Sequence, residues 1–385
     1  MPYCYVTTFM ILAQIASAQS GAGQGSSLDM TFDPRSVSLG EATVALPGSY
    51  DAFGSNPAGL SALKGAWMSY YRRGMEWTEV LGMNDLRYRS WAAGANTPWG
   101  TFSFEYRRMD FGEFQVTTSE SPDASGTVKV YNHELGIAWG LCLTRSISIG
   151  AVAKTYTDVQ STEGLPGPSL YELETQRPYL LDLGLLYKSG ALIGSERLGD
   201  NVNVGVALQN FGTDYRIKSA TGPGTGLFSE EYIALPRTLR IGVAYQLSLH
   251  DSDPTRATIL QVNLLGEYRN VLNVFPGNHE YHWGWGTEFT AYDILTVRLG
   301  GYFQPYSSVY GGDRVVGIRL GAGLHLPINL FVDGLPPFAF CVDYAAIPLN
   351  SISTGYYNPF NSAPGTANVF ALRIQYEADL MGGGQ

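Results

Sequence analysis

The stretch YNHELGIAWGL, residues 131–141, alternates between large apolar side chains and small or polar ones. Tyr131, Leu135, Ile137 and Trp139 occupy odd-numbered positions, whereas asparagine, glutamate, glycine and alanine fill the even-numbered ones. A repeat of two residues places successive side chains on opposite faces of a β-strand. The stretch therefore predicts a strand whose two faces meet different surroundings.

The same alternation recurs through most of the chain after residue 66. It is clearest at 101–107, 146–151, 202–209, 239–248, 316–325 and 370–376. Most candidate strands have the roughly 9 to 11 residues that a tilted strand needs to cross a bilayer. Fourteen candidates begin near residues 65, 86, 99, 129, 145, 178, 201, 237, 256, 283, 294, 314, 337 and 367. An even number is typical of closed bacterial barrels.

The connections between these strands alternate in length. Long connections are predicted at 74–84, 110–127, 159–176, 210–236, 270–282, 304–313 and 347–366, and short ones at 97–98, 143–145, 189–200, 250–255, 291–293 and 327–336. In outer-membrane barrels, short periplasmic turns and longer outer loops alternate along the chain in the same way. The pattern predicts an all-β, transmembrane, antiparallel up-and-down β-barrel with its N-terminus on the periplasmic side.

The composition of the less apolar face supports a barrel interior rather than a face in contact with bulk water. Only 15% of all residues are charged, against roughly 25% in typical soluble domains. The candidate lumen-facing polar residues are Glu105, Arg107, Glu134, Asp182, Arg240, Glu267, Arg298, Arg319, Asp343 and Arg373. We favour mutual ion pairs that fill the interior over a substrate-gating role for these side chains.

The N-terminal region divides into two parts ahead of the barrel. Residues 1–18 are apolar and end in Ala16-Ser17-Ala18, which predicts a secretory signal peptide. The missing Lys or Arg before the apolar core leaves a buried N-terminal helix as the alternative. Residues 19–61 are predicted to be a tether and a luminal plug, and 62–385 the barrel.

Charge and motif content exclude several function classes. The net charge of −10 argues against nucleic-acid binding, which needs clustered Lys and Arg. We find no catalytic constellation and predict no enzyme, cofactor or metal site, although a barrel enzyme acting on lipid remains a minor alternative. His279-x-x-His282 is too short to indicate a metal site. Once Cys4 is removed with the leader, Cys142 and Cys341 are too few for a disulfide scaffold.

Three blocks of sequence carry a resemblance to known outer-membrane proteins. The block from Arg35 to Leu60 resembles the N-terminal block of the PorV/PorQ family, and its Asn56-Pro57-Ala58 is similar to a motif of the related long-chain fatty-acid transporter (FadL) family. Residues 203–212 and 235–242 are similar to a paired strand signature of the PorV/PorQ group. The resemblance implies a 14-stranded outer-membrane barrel with an N-terminal segment folded into its lumen.

The resemblance implies two alternative functions. The first is passage of hydrophobic or amphipathic solutes across the outer membrane, and the alternative is a non-transporting scaffold that binds secreted cargo or type IX-like secretion partners through its long outer loops. The expected partners are outer-membrane lipid, a hydrophobic small molecule, and secretion-system or surface proteins. We predict that Asn56, Pro57, Ala58 and Gly59 form the hinge between the plug and the first membrane strand.

Overall fold

The computed structural model describes thirteen stretches of the chain, two of them short. These are residues 26–73, 87–117, 124–163, 174–193, 195, 197–220, 228–233, 235–251, 258–272, 280–304, 315–330, 336–348 and 366–377. The predicted signal peptide and residues 19–25 of the predicted tether lie outside them.

Seventeen strands are present in the described residues, and fourteen of them form one closed barrel. The barrel strands are β1 (Ala66–Arg73), β2 (Arg87–Thr97), β3 (Gly100–Thr117), β4 (Ala124–Cys142), β5 (Ile147–Glu163), β7 (Tyr179–Lys188), β8 (Leu198–Gly212), β11 (Thr238–Leu249), β12 (Leu260–Val271), β13 (Glu280–Ala291), β14 (Leu295–Gln304), β15 (Val315–Pro327), β16 (Phe338–Pro348) and β17 (Thr366–Tyr376).

Each barrel strand is antiparallel to both neighbours, and the first strand pairs with the last. β1 lies beside β17 in a register that joins Ala66 to Tyr376 and Arg73 to Val369. This pairing leaves no open sheet edge, as a membrane barrel requires. The predicted fourteen-stranded antiparallel barrel is confirmed, and every predicted start lies within about five residues of an observed one.

The strands β3, β4 and β5 are longer than predicted. They contain 18, 19 and 17 residues, against the roughly 9 to 11 that cross a bilayer. The predicted long connection at 110–127 was wrong, because β3 continues to Thr117 and β4 begins at Ala124. A bulge between Asp110 and Glu113 lets β3 bend there, and Gly112 takes the positive φ of 88°.

Two predicted loops instead contain a second, smaller sheet. β6 (Glu174–Gln176), β9 (Tyr215–Ala220) and β10 (Phe228–Ile233) pair in the order β10-β9-β6. They lie within the predicted connections 159–176 and 210–236, which were assigned no strands. The barrel end that carries the long connections, which we call the long-connection end, therefore has a three-stranded sheet separate from the wall.

The N-terminal residues contain three short helices and no strand within the described part. A 3-10 helix covers Ser26–Asp29, the α-helix α1 covers Pro34–Ser38, and a second 3-10 helix covers Pro57–Ala62. Asp33 caps α1 by accepting the Arg35 N–H, and Pro34 occupies the first turn, where no amide donor is needed. None of the helices in the described residues has the length and apolar character to cross a membrane.

The outward face of the wall is apolar where it is exposed. Phe104, Ile137, Leu183 and Val243 are each about half exposed, and many similar side chains surround the barrel. Water-soluble proteins rarely expose contiguous apolar patches larger than a few hundred Å². This exterior therefore faces lipid rather than water.

Candidate functional site

The N-terminal segment lies inside the barrel and is buried along nearly its whole length. Val37, Leu39, Val44, Phe53 and Leu60 have at most 1% of their surface exposed. Its backbone approaches the wall at strand glycines, since a Cβ added at any of them would collide with the segment. These glycines are Gly150, Gly184, Gly205, Gly284, Gly286 and Gly300. The small residues on the inner face of the strands therefore provide the space that the plug occupies.

The first part of the segment, residues 26–32, which we call the upper section, packs into two apolar clusters near the long-connection end. Phe32 contacts the cluster of Tyr71, Tyr88 and Met109, with Met30 packed against it. Leu28 joins the other cluster, with Tyr156, Leu180 and Leu235. Among the described side chains, the Arg73 guanidinium donates to the Thr31 carbonyl, Tyr88 to the Met30 sulfur and Asn210 to the Leu28 carbonyl.

The remaining part, residues 33–63, which we call the lower section, is fixed by buried ion pairs. Glu288 on β13 accepts hydrogen bonds from Arg35 Nε at 2.9 Å and Nη2 at 2.8 Å, and from Arg298 Nε at 2.7 Å. Arg298 also reaches Asp343 on β16 at 2.7 Å. One plug arginine is thus held in a chain of charges that spans three barrel strands.

A second group of charges surrounds Asp51 of the lower section. The Arg107 guanidinium pairs with both Asp51 and Glu105, and all three side chains are almost fully buried. Glu105 also accepts the Ala52 N–H at 2.8 Å. Above this group, the Phe32 ring lies 5.0 Å from the Arg107 carbon Cζ. Arg107 therefore marks the boundary between the upper apolar clusters and the charges below.

A third group holds the turn after α1. Glu267 pairs with Arg240 at 2.5 Å and accepts the Val44 N–H at 2.8 Å. Arg240 also donates to the Glu41 carbonyl, and Arg269 pairs with the Glu41 carboxylate at 3.0 Å. The buried charges of the strands are thereby matched to backbone and side-chain groups of the plug, which offsets the cost of their burial.

The structure places the ten candidate lumen-facing polar residues on the inner side of the wall. Nine are buried, and Arg373 is partly exposed and lies over the Tyr50 ring at 3.8 Å. Asp182 pairs with Lys154 at 2.8 Å, and Arg319 lies over the Tyr302 ring at 4.8 Å. Mutual ion pairing was the interpretation favoured for these ten side chains, and substrate gating stays the alternative.

Several charged partners in these groups are not among the ten candidate lumen-facing residues predicted from the sequence. They are Arg35, Glu41, Asp51, Lys154 and Arg269. Lys154 and Arg269 have the inward parity of their strands, so the alternation contained the signal. The three plug residues had no such signal, because Arg35 lies in a helix of only five residues and Glu41 and Asp51 lie in irregular backbone, where no repeat fixes the direction of a side chain.

The motif at residues 56–59 lies where the plug meets the wall. Asn56 accepts the Ala58 N–H at 3.0 Å and so caps the second 3-10 helix. Its amide nitrogen donates to the Val44 carbonyl at 2.8 Å and to the Leu185 carbonyl at 2.9 Å. Pro57, Ala58 and Gly59 are buried beside β4, β5 and β7. Whether these residues act as a hinge stays a prediction.

Asp33 is the plug group with the clearest change in acidity. Burial raises its pKa from 3.8 to about 6, and the nearby carboxylates of Asp51 and Asp343 add to the effect. The neighbouring guanidiniums of Arg298 and Arg35 act in the opposite direction. Asp33 therefore takes up a proton in the folded protein at a pH at which it is ionised in the unfolded chain.

The described residues contain no group of three or more His, Cys, Asp and Glu side chains that could hold a metal ion. His282 was predicted to lie on an outer loop, but the structure places it on β13, while His279 lies outside the described residues. Cys142 is exposed, Cys341 is buried, and neither forms a disulfide.

Three solved structures are similar to this chain over most of its length. The first is a Pseudomonas aeruginosa FadL homologue, with 11% identity, coverage of 90% of this chain and 99% of the other, and a TM-score of 0.45. The second is the CymD monoaromatic hydrocarbon channel, with 9% identity, coverage of 90% of this chain and 97% of the other, and a TM-score of 0.46. The third is the Ralstonia pickettii toluene transporter TbuX, with 11% identity, coverage of 91% of this chain and 99% of the other, and a TM-score of 0.46. No family model and no curated protein matches the chain.

Proposed function

We propose that this barrel passes hydrophobic or amphipathic solutes across the outer membrane, with the upper section moving out of its apolar clusters as a solute enters. The observation that carries the proposal is the apolar character of the lumen near the long-connection end. Tyr71, Tyr88 and Met109 meet Phe32 there, and Tyr156, Leu180 and Leu235 meet Leu28. A polar pore would instead line this region with groups that bind water.

The contacts of the upper section suit a displaceable occupant. Its apolar side chains occupy positions that an apolar solute would fill equally well, because apolar burial is not directional. Its described polar attachments to the wall include hydrogen bonds from Arg73, Tyr88 and Asn210, and none of them is an ion pair. The lower section, with its buried ion pairs, would remain and keep the barrel closed to ions.

The experiment tethers the upper section to the wall. The Phe32 and Tyr88 rings lie 5.1 Å apart between centroids, so Phe32→Cys and Tyr88→Cys, with Cys142→Ser and Cys341→Ser, allow a short reducible cross-link. We expect liposomes that contain the reduced protein to take up an apolar dye or fatty acid, and the cross-linked protein to take up much less. A polar sugar of similar size should enter in neither state.

Two other results of the uptake experiment would contradict the proposal. Equal uptake with and without the cross-link would contradict the proposed route. Absence of uptake in both states, with the barrel folded as judged by its heat-dependent gel mobility, would contradict solute passage altogether. Release of the cross-link by a reductant in the same liposomes provides a control that keeps the protein and its orientation unchanged.

The second candidate function is a scaffold for secreted or surface proteins, of the kind that the PorV/PorQ resemblance implies. The observation that favours it is the separate sheet of β6, β9 and β10, an ordered structure outside the barrel wall. Replacement of residues 215–233 by a short Gly/Ser linker should abolish co-purification of a partner and leave solute uptake unchanged. Loss of uptake with unchanged co-purification would contradict the scaffold.

A further inference from the structure

Three arginine side chains form a row across the outward faces of β1, β2 and β3, and His133 continues the row on β4. Arg72 lies opposite Arg89 in the strand register, Arg89 lies opposite Arg108, and Arg108 lies opposite His133. Each arginine alternates with buried inward residues on its own strand, and Arg72 and Arg89 are exposed. We call the three arginines the cationic row. Arg87, also exposed, extends the row by one step toward the long connections.

Like charges at directly opposed positions destabilise a sheet unless counter-charges are present. Among the described residues Asp110 is such a counter-charge, since it accepts from Arg108 Nε at 2.7 Å and lies opposite Arg87 in the strand register. Arg72, Arg87 and Arg89 have no hydrogen bond or ion pair with any residue in the part of the chain that the structure describes. The row therefore carries an excess of positive charge that its surroundings must balance.

The residues below the cationic row show what those surroundings are. Two positions toward the short-connection end, Tyr70, Trp91 and Tyr106 form an aromatic row in the same register, and the Tyr70 and Trp91 rings lie 4.5 Å apart. Two positions further, the outward residues are Met68, Ala93 and Phe104. Apolar, aromatic and cationic side chains thus follow one another along the wall. The hydrocarbon core, the interface and the charged headgroups of a bilayer follow one another in the same order.

The positive charge is confined to one sector of the barrel. The outward positions of β11–β17 hold apolar, aromatic and small polar side chains among the described residues, with no lysine or arginine. Among the arginines of those strands, Arg240, Arg269, Arg298 and Arg319 are buried toward the lumen, and the partly exposed Arg373 lies over the ring of the plug residue Tyr50. A general attraction to an anionic membrane would not require this asymmetry, whereas a defined binding site would.

We propose that the cationic row binds the phosphate groups of a phosphorylated lipid in the leaflet nearest the long connections. Neighbouring strands lie about 4.8 Å apart, so adjacent guanidiniums can share one phosphate or hold two phosphates of one headgroup, with paired hydrogen bonds to each. The acyl chains of the same lipid would lie against Met68 and Phe104. The inference requires a membrane-inserted barrel and does not depend on solute passage.

The test compares two double variants with equal loss of charge. Arg72→Gln/Arg89→Gln removes two members of the row, and Lys64→Gln/Lys188→Gln removes two exposed charges near the short-connection end. Native mass spectrometry of the full-length barrel would count bound lipid A, an acylated disaccharide with two phosphates, against its dephosphorylated form. An arginine near an anionic surface contributes about fivefold in affinity, so we expect about thirtyfold weaker lipid A binding in the first variant and no change in the second.

The outcomes separate the proposal from its alternatives. Equal losses in both double variants, or equal binding of the dephosphorylated lipid by the wild type, would overturn it. Full displacement of lipid A by millimolar inorganic phosphate would also overturn it, since the site would then recognise a free anion rather than a lipid. A salt titration of the wild type, with weaker lipid A binding expected at higher ionic strength, tests the row without any substitution.

Discussion

The upper and lower sections of the plug occupy the same lumen but are held by different forces. In the described residues, the upper section is held by apolar packing around Leu28 and Phe32 and by hydrogen bonds from Arg73, Tyr88 and Asn210. The lower section also has apolar contacts, but Arg35, Glu41 and Asp51 add buried ion pairs to the strands. Apolar packing tolerates exchange of one occupant for another, whereas a buried ion pair that loses one partner leaves an uncompensated charge. The comparison predicts one displaceable and one fixed section in a single segment.

The largest effect should follow from removal of the carboxylate that the lower section depends on most. Glu288→Gln leaves the Arg35 and Arg298 guanidiniums facing a neutral group, and loss of one partner from a buried ion pair costs about 3 to 5 kcal/mol. The temperature at which the folded barrel loses its faster gel mobility measures this loss. We expect a large fall, together with protease cleavage within residues 33–63.

The matched control for that variant is an exposed ion pair. Asp214→Asn removes the acidic partner of an ion pair with Arg237, whose side chain is 34% exposed, while that of Asp214 is 43% exposed. Exposed pairs contribute about 0 to 1 kcal/mol. A fall in the unfolding temperature as large as that of Glu288→Gln would show that burial is not the source of the difference between the sections.

The second effect concerns Asp33, at the junction of the two sections. Its folded pKa of about 6 lies above its unfolded value of 3.8, so the folded protein binds the extra proton between these values and stability rises as pH falls through this window. Asp33→Asn removes the charge and keeps a good helix cap. We expect it to stabilise the protein at pH 8 by up to about 3 kcal/mol and to have almost no effect at pH 3.8.

Heat-dependent gel mobility of both proteins at a series of pH values would measure this prediction. A stability difference that is the same at pH 8 and pH 3.8 would contradict it, because the charge would then not be the cause. Arg35 makes its own hydrogen bonds to Glu288, so those contacts remain in both proteins and the comparison isolates the Asp33 carboxyl.

The smallest loss of stability should follow from filling the space between the plug and the wall. A valine at Gly150 would place its Cβ well inside contact distance of the Pro57 carbonyl carbon and the Ala58 nitrogen, whereas nothing lies within 4 Å of a Cβ at Gly266. Overpacking of this kind costs about 1 to 3 kcal/mol. Gly150→Val should therefore lower the unfolding temperature and Gly266→Val should not. Equal effects of the two substitutions would mean that the plug is free to shift away from β5.

Much of the barrel could be predicted from the sequence, because alternation along strands such as 131–141 is a local property. The alternating lengths of the connections fixed the order of neighbours, since consecutive strands joined by such turns pair as antiparallel ladders. The extended end of β3 escaped prediction because a bulge between Asp110 and Glu113 changes the phase of its alternation. The strands β6, β9 and β10 escaped because they contain only 3, 6 and 6 residues, too few to show a clear repeat.

The chain by itself determined which residues alternate, where turns fall, and that the N-terminal segment is too short and irregular to form a long helix. The tertiary structure alone decided which charges meet. Arg35 pairs with Glu288 across 253 residues, and Arg72, Arg89 and Arg108 share one level only because of the register of β1, β2 and β3. A shift of one residue in that register would move every side chain of a strand to the opposite face. Periodicity is thus encoded locally, whereas register and the partners of buried charges depend on closure of the whole barrel around its plug.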